Sequence, residues 1–192
     1  MAVLDAMIAP SWEYRYYSFD AHWSPGQMMG SMRNGSGDDF FAVFDSHSAF
    51  LKGFVHEAAA ATIPSSNFYR DLPHELREIS REPAFSPDSV TFCIWCPVNQ
   101  STWSSSAAVL PDGIDDGSAG LLSMLDGKPE TYWAWAREYY DRDIPMHAVE
   151  SVYQGRPLTE ELVAALNSQQ SLGSLHSQVI RIGYAIGPSG SI

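Results

Sequence analysis

Two runs of β-prone residues, Asp39–Asp45 (DFFAVFD) and Ala49–Phe54 (AFLKGF), stand on either side of three polar residues, Ser46-His47-Ser48. Aromatic and β-branched side chains suit a pleated, half-buried surface, and so short a link turns the second run back along the first. The pair reads as a β-hairpin, so the fold must grow around an antiparallel sheet. Glu13–Asp20 (EYRYYSFD) reads as a further strand, as does Val90–Cys96 (VTFCIWC), which Pro97 stops. Between the first strand and the hairpin, Pro25–Asp38 is rich in Gly, Ser and Asn. It predicts a short helix around Gln27–Met32 and then a turn.

The later chain changes period. Asp71–Ser80 (DLPHELREIS) reads as helical, with Asp71 as N-cap and Pro73 in the first turn, and His56–Thr62 (HEAAAAT) is ambiguous. Asp116–Leu125 suggests a short helix and Pro129–Asp141 a longer one. At about 100° per residue, Tyr132, Trp133, Trp135, Ala136, Tyr139 and Tyr140 share an arc of roughly 160°, which predicts a core-facing aromatic stripe. Pro145–Gln154 is a third helix, followed by Gly155. A fourth starts at the N-cap Thr159, with Glu160 and Glu161 in its first turn and Leu158 and Val163 placed as a hydrophobic staple, and ends near Asn167. Gln178–Ile186 (QVIRIGYAI) alternates and predicts a closing strand with a bulge at Gly183. Strands early and helices late give an α+β class: an antiparallel sheet with an early β-hairpin, packed against a C-terminal group of helices.

A chain of 192 residues that is 45% hydrophobic and 12% aromatic can bury a sizeable core. It reads as one domain over residues 1–192, with 1–12 and 187–192 as flexible ends. No basic residue precedes the apolar stretch in Met1–Pro10, no apolar run reaches membrane-spanning length, and two cysteines are too few for a disulfide scaffold. A cytoplasmic protein with no membrane partner is therefore expected. Eleven Lys and Arg against 23 Asp and Glu give a net charge of -12. That field disfavours nucleic acid, whose binding rests on basic side chains displacing counterions, and favours a basic protein partner.

No motif completes a catalytic site. Cys93-Ile94-Trp95-Cys96 lies within a predicted strand, where positions i and i+3 point to opposite faces about 10 Å apart, beyond disulfide reach. His56-Glu57 opens like a zinc-hydrolase helix, but Ala60 stands where the second histidine belongs, and His74-Glu75 has Glu78 there. Asp112, Asp115 and Asp116 crowd one loop, yet the calcium-loop spacing fails because Ser123 occupies the position of the closing glutamate. Asp115 and Asp116 fit better as caps of the following helix. No metal and no cofactor is implied. Two uses of the polar residues remain: a partner surface of Asp38, Asp39, Asp112, Asp115 and Asp116, or an acid–base site centred on His56 and Glu57.

The ordered set SFDAHW, MGSMRNGSGDDFFAVFD, AFLKGFVHE, TFCIW, Trp103 and ETYWAWAREYYD resembles a family of uncharacterised bacterial cytoplasmic proteins over about Ser18–Tyr184. More distantly, the acidic-loop hairpin GSGDDFFAVFD with flanking helices resembles the SUKH superfamily, although no helix is read before the first strand. Many SUKH proteins are immunity proteins that neutralise polymorphic bacterial toxins. The resemblance implies a non-catalytic protein-binding module with a basic toxin domain as its partner.

Overall fold

The computed structural model describes residues 1–106, 110 and 113–188. The chain forms two compact units, Trp23–Ser123 and the combination of Met1–His22 with Met124–Ile192. Strands β1 (Tyr17–Ser24), β2 (Gln27–Arg33), β3 (Asp39–Phe44), β4 (Ser48–Phe54), β5 (Phe92–Pro97) and β6 (Ser104–Ser105) lie in the order of the sequence. The ladders from β2 to β6 are antiparallel. With helices filling the C-terminal half, the class is α+β, as the patterning predicts.

In the Trp23–Ser123 unit, the hairpin β3–β4 forms as expected, with Val43 opposite Phe50 and Phe41 opposite Lys52. The next rung continues on β5, where Trp95 faces Phe50 and Cys93 faces Lys52. Phe41, Val43, Phe50, Cys93 and Trp95 thus share one face, and it is covered by Phe68, Leu72, Leu76, Ile79, Phe85 and Val90. Phe85 stacks on Phe41 at 4.7 Å and on Trp23 at 5.3 Å. Gly53 opposes Phe92, and a Cβ there would come within 2.2 Å of the Phe92 ring, so only glycine leaves the ring its place.

Two expectations change in this unit. Gln27–Met32, read as a helix, is strand β2, paired residue by residue from Met28–Phe44 to Arg33–Asp39. Gln and Met lean towards helix, but that preference is a few tenths of a kcal/mol per residue and yields to a full ladder. Asp71–Ser80 is not one helix. Its Leu72, Leu76 and Ile79 are buried at the spacing expected, but the backbone makes separate 3₁₀ turns at His74–Leu76 and Ile79–Arg81, after the short helix α2 (Ser65–Phe68). The ambiguous run ends in another such turn, Ala59–Thr62. The helix expected over Asp116–Leu125 is reduced to α3 (Ser118–Leu121) and a 3₁₀ turn.

The other unit starts with α1 (Ala2–Ile8), where flexible chain was expected. Its Ala, Leu and Met are strong helix formers, Val3–Ile8 are all buried, and Ala9 turns extended before Pro10. The following Trp12–Tyr14 segment is a 3₁₀ turn, not the start of the strand. Helices α4 (Pro129–Tyr139), α5 (Met146–Tyr153) and α6 (Glu160–Leu166) fall where the sequence places them. Thr159 Oγ1 caps α6 by accepting from Leu162 N at 3.3 Å, and the staple pair Leu158 and Val163 is fully buried. The expected closing strand is instead α7 (Leu172–Ile182). Ser171 and Ser174 cap one another's backbone N–H, Leu175 and Val179 are buried four residues apart, and Gly183 ends the helix at φ 75°. A reciprocal cap and an i, i+4 apolar pair outweigh the β preference of Val179, Ile180 and Ile182.

Candidate functional site

The structure gives each described acidic residue of the expected partner surface a role inside the chain. Asp38 closes the turn between β2 and β3: its Oδ2 accepts from Asn34 Nδ2 at 2.7 Å, while Oδ1 accepts from His56 N at 2.9 Å and sits 2.7 Å from His56 Nδ1. Burial works to raise the Asp38 carboxyl, but these bonds prevail and hold it below its ordinary value. The Asp38 hydrogen bond raises His56 above the ordinary imidazole value, with Glu57 adding to the effect from 3.8 Å. The pair therefore orients an imidazole as an acid–base site would. Yet His56 and Glu57 line neither of the concavities described in this unit. The arrangement clasps the start of β3 to the end of β4.

Asp39 points at Lys52, whose side chain is 1% exposed, with Nζ 3.5 Å from Asp39 Oδ1. The ammonium also donates to Ser89 O at 2.6 Å and Ser86 O at 3.4 Å, and lies 5.4 Å from the centre of the Phe41 ring. Burial pushes Lys52 below its ordinary value and Asp39 above it, while each charge works to keep the other ionised. Asp115 Oδ1 accepts from Gly117 N at 2.8 Å and Asp116 Oδ1 from Ser118 N at 2.9 Å, tight turns just ahead of α3; the N-cap of α3 is Gly117 and no side chain caps it, so the capping expected of the two aspartates does not form. Asp112 lies outside the described residues. Both cysteines are free, and burial pushes the Cys93 thiol up to about 12, where no thiolate forms near neutral pH. Among the described residues, no group of three His, Cys, Asp or Glu side chains could hold a metal ion.

Trp103 and Val98 are exposed in this unit, and the other unit exposes a set of aromatic side chains able to dock a partner. Tyr16, at the entry to β1, packs on Trp135 at 4.7 Å and Tyr139 at 5.2 Å, and the last two stack at 5.0 Å. The cluster is built from beneath by Asp5, a fully buried carboxylate on α1 that accepts from Tyr16 N at 2.9 Å, Tyr17 N at 2.7 Å and the Tyr132 hydroxyl at 2.6 Å. Burial pushes the Asp5 carboxyl up, against the pull of those bonds. Asp5 thus fixes α1, the entry to β1 and α4 at one point.

Above that anchor the aromatic stripe of α4 grades from buried Tyr132 and Ala136 to Tyr139, which is 43% exposed. In the turn that leads to Tyr16, Trp12 is 60% and Tyr14 63% exposed, and Arg15 pins it by donating to Ala9 O at 2.8 Å and Pro10 O at 2.9 Å. Tyr14 is two residues from Tyr16, at most about 7 Å along the chain. Exposed acids accompany both segments: Glu13 between Trp12 and Tyr14, and Glu138 and Asp141 on either side of Tyr139 and Tyr140. Tryptophan and tyrosine carry much of the energy at protein interfaces, and their faces attract guanidinium and ammonium groups. Sequence reading missed Trp12 and Tyr14 because aromatics alternating with charges look like a strand. The signal was there, since in that register the same run puts charges on one face of the supposed strand.

Among the described residues, no helix is long and apolar enough to cross a membrane. Compared with protein-family models, curated proteins and solved structures, the chain finds no match in any of the three.

Proposed function

We propose that this chain is a non-catalytic protein-binding module for a basic partner, and that it serves as a bacterial immunity protein occluding a cognate toxin domain. The observation that carries the reading is the exposure of Trp12, Tyr14 and Tyr139, on two segments that Tyr16 joins by packing on Tyr139, in a chain of net charge -12 and with Glu13, Glu138 and Asp141 beside them in sequence. Aromatic anchors supply contact area at low entropic cost, and the acidic field speeds the approach of a cationic partner. The immunity role rests on the resemblance of the hairpin sequence to SUKH proteins. Helix α1 supports it by supplying the helix before the first strand that the sequence did not reveal. In this reading the face takes Arg and Lys side chains over its rings, with the carboxylates beside them.

Co-expression tests this directly. The product of the neighbouring gene is expressed alone, with this chain, and with a Trp12→Ala/Tyr139→Ala variant. Toxicity alone, rescue by the natural chain and loss of rescue by a folded variant are expected. A complex without toxicity would keep the binding module and remove the immunity role; neither toxicity nor a complex would remove both.

A further inference from the structure

We propose a second site, independent of the partner face: a pocket in the Trp23–Ser123 unit that binds a small phosphate monoester through Arg70, Arg77 and Arg81. The three guanidinium-bearing residues line one concavity of about 430 Å3, within the range of small-molecule sites. Three of the chain's eleven Lys and Arg thus converge on one hollow, in a molecule with more than twice as many acids. Among the described residues none of the three forms an ion pair. The Arg70 guanidinium donates to Asn67 Oδ1 at 3.2 Å and Arg77 Nε to Leu72 O at 3.4 Å. Asp88 on the same lining offsets one of these three charges and leaves the lining with a positive balance.

The local fold explains the convergence. Leu72, Leu76 and Ile79 are held in the core, and the 3₁₀ turns between them leave Arg77 and Arg81, four residues apart, on the outer side. Glu75 and Glu78 share these turns but do not line the hollow, and Glu82 turns its Oε1 to Ala84 N at 3.1 Å. The part of the wall formed by Pro87 and Asp88 is fixed at two points. The Tyr69 hydroxyl donates to Pro87 O at 3.1 Å, and buried Lys52 holds the carbonyls of Ser86 and Ser89 that bracket the wall. Ser86 sits at φ 49°, a left-handed conformation that serine rarely adopts, so the wall is held in a shape it would not choose alone.

The chemistry selects the ligand. A phosphate monoester offers close to two charges and three acceptor oxygens, which forked guanidinium donors meet in pairs. Salt screens charges beyond about 8 Å, so a compact anion in the hollow feels its three arginines, Asp88 and the neighbouring Asp71, Glu78 and Glu82 more than the acids of the rest of the chain, while an extended polyphosphate chain feels them all. Asp88, the one acid on the wall, faces the same hollow and suits a hydroxyl elsewhere on the ligand. A sugar phosphate therefore fits better than bare phosphate.

The test is a titration of the full chain with inorganic phosphate, glucose 6-phosphate and a short single-stranded oligonucleotide, followed by amide NMR. Saturable shifts confined to Ser65–Arg81 and Pro87–Ser89 are expected, with the sugar phosphate tighter than inorganic phosphate and the oligonucleotide weakest. Arg77→Gln and Arg81→Gln should each raise the dissociation constant about tenfold, the loss of one charge-assisted contact. Arg137→Gln, distant in sequence and outside the pocket, should leave it unchanged. Shifts spread over the surface, an equal effect of Arg137→Gln, an oligonucleotide binding as tightly as the sugar phosphate, or no saturation would each overturn the proposal.

Discussion

Replacing Lys52 by methionine removes a buried ammonium while keeping an unbranched apolar stem only one atom shorter, so little cavity is left. The carboxylate of Asp39 then loses its partner 3.5 Å away and Ser89 O loses its donor, while Ser86 O keeps Ser89 N at 2.9 Å. Breaking a buried pair from one side costs about 3–5 kcal/mol. Two features place the cost near the low end. Asp39 is 21% exposed and regains some water, and Arg33, its partner in the β2–β3 register, still lowers its potential. The stranded Ser89 carbonyl adds about 1 kcal/mol, since Ser89 is half-buried and its oxygen rehydrates in part. Lys52→Met should thus lose about 3–4 kcal/mol. Adding Asp39→Leu removes the stranded carboxylate, and the double variant should lose only about 1–2 kcal/mol. Urea unfolding followed by tryptophan fluorescence reads both, and amide exchange of β3 and β4 assigns the loss to this unit. A single variant that loses less than about 1 kcal/mol, or a double variant less stable than the single, would refute the reasoning.

In the other unit, Asp5→Ala removes the carboxylate to which Tyr16 N, Tyr17 N and the Tyr132 hydroxyl donate, and should cost about 3 kcal/mol in urea unfolding; a loss under about 1 kcal/mol would contradict the anchoring role. His56 has a raised value in the fold, so its contribution is fully present below the unfolded value of about 6.5 and is lost as pH rises through the folded one. Asp38, held low, contributes above its unfolded value and loses that as pH falls through its folded value, so the clasp is strongest between about pH 4 and 6.5. NMR titration should place the His56 ring above the ordinary histidine value and return it towards that value in Asp38→Ala; an unmoved ring would refute the pairing. Cys96 should alkylate in the native protein while Cys93 reacts only on unfolding, and a Cys93–Cys96 disulfide after mild oxidation, read by mass spectrometry, would contradict their placement on opposite faces.

Where one residue type and one period agreed, the sequence was legible. The β3–β4 hairpin, α4 and the Thr159 cap of α6 all have local chemistry that points the same way as their tertiary surroundings. It was misleading where a pattern fits two periods. Gln178–Ile186 alternates like a strand, yet Leu175 and Val179 also lie four apart, and only the Ser171–Ser174 cap, upstream of the run, decides for helix. At β2 the reverse holds, because its pairing with β3 is a property of two segments and no single-segment propensity contains it. The candidate sites divide in the same way. The caps read from spacing at Asp115 and Asp116 become turns just ahead of α3, whose N-cap is Gly117, and the meeting of Asp38 with His56, 18 residues apart, depends on the hairpin's register. The two most consequential placements, Asp5 under the aromatic cluster and Lys52 beside Asp39, bury charges, which composition alone assigns to the surface.

The central claim is that an acidic, aromatic face holds a basic protein. Isothermal titration of the natural chain and the Trp12→Ala/Tyr139→Ala variant, against the neighbouring gene's product at two salt concentrations, tests it most directly. Saturable binding that weakens with salt and falls at least about a hundredfold in the variant, with its circular dichroism unchanged, is the predicted result. Binding of equal strength by both proteins, or no binding by either, would contradict the claim.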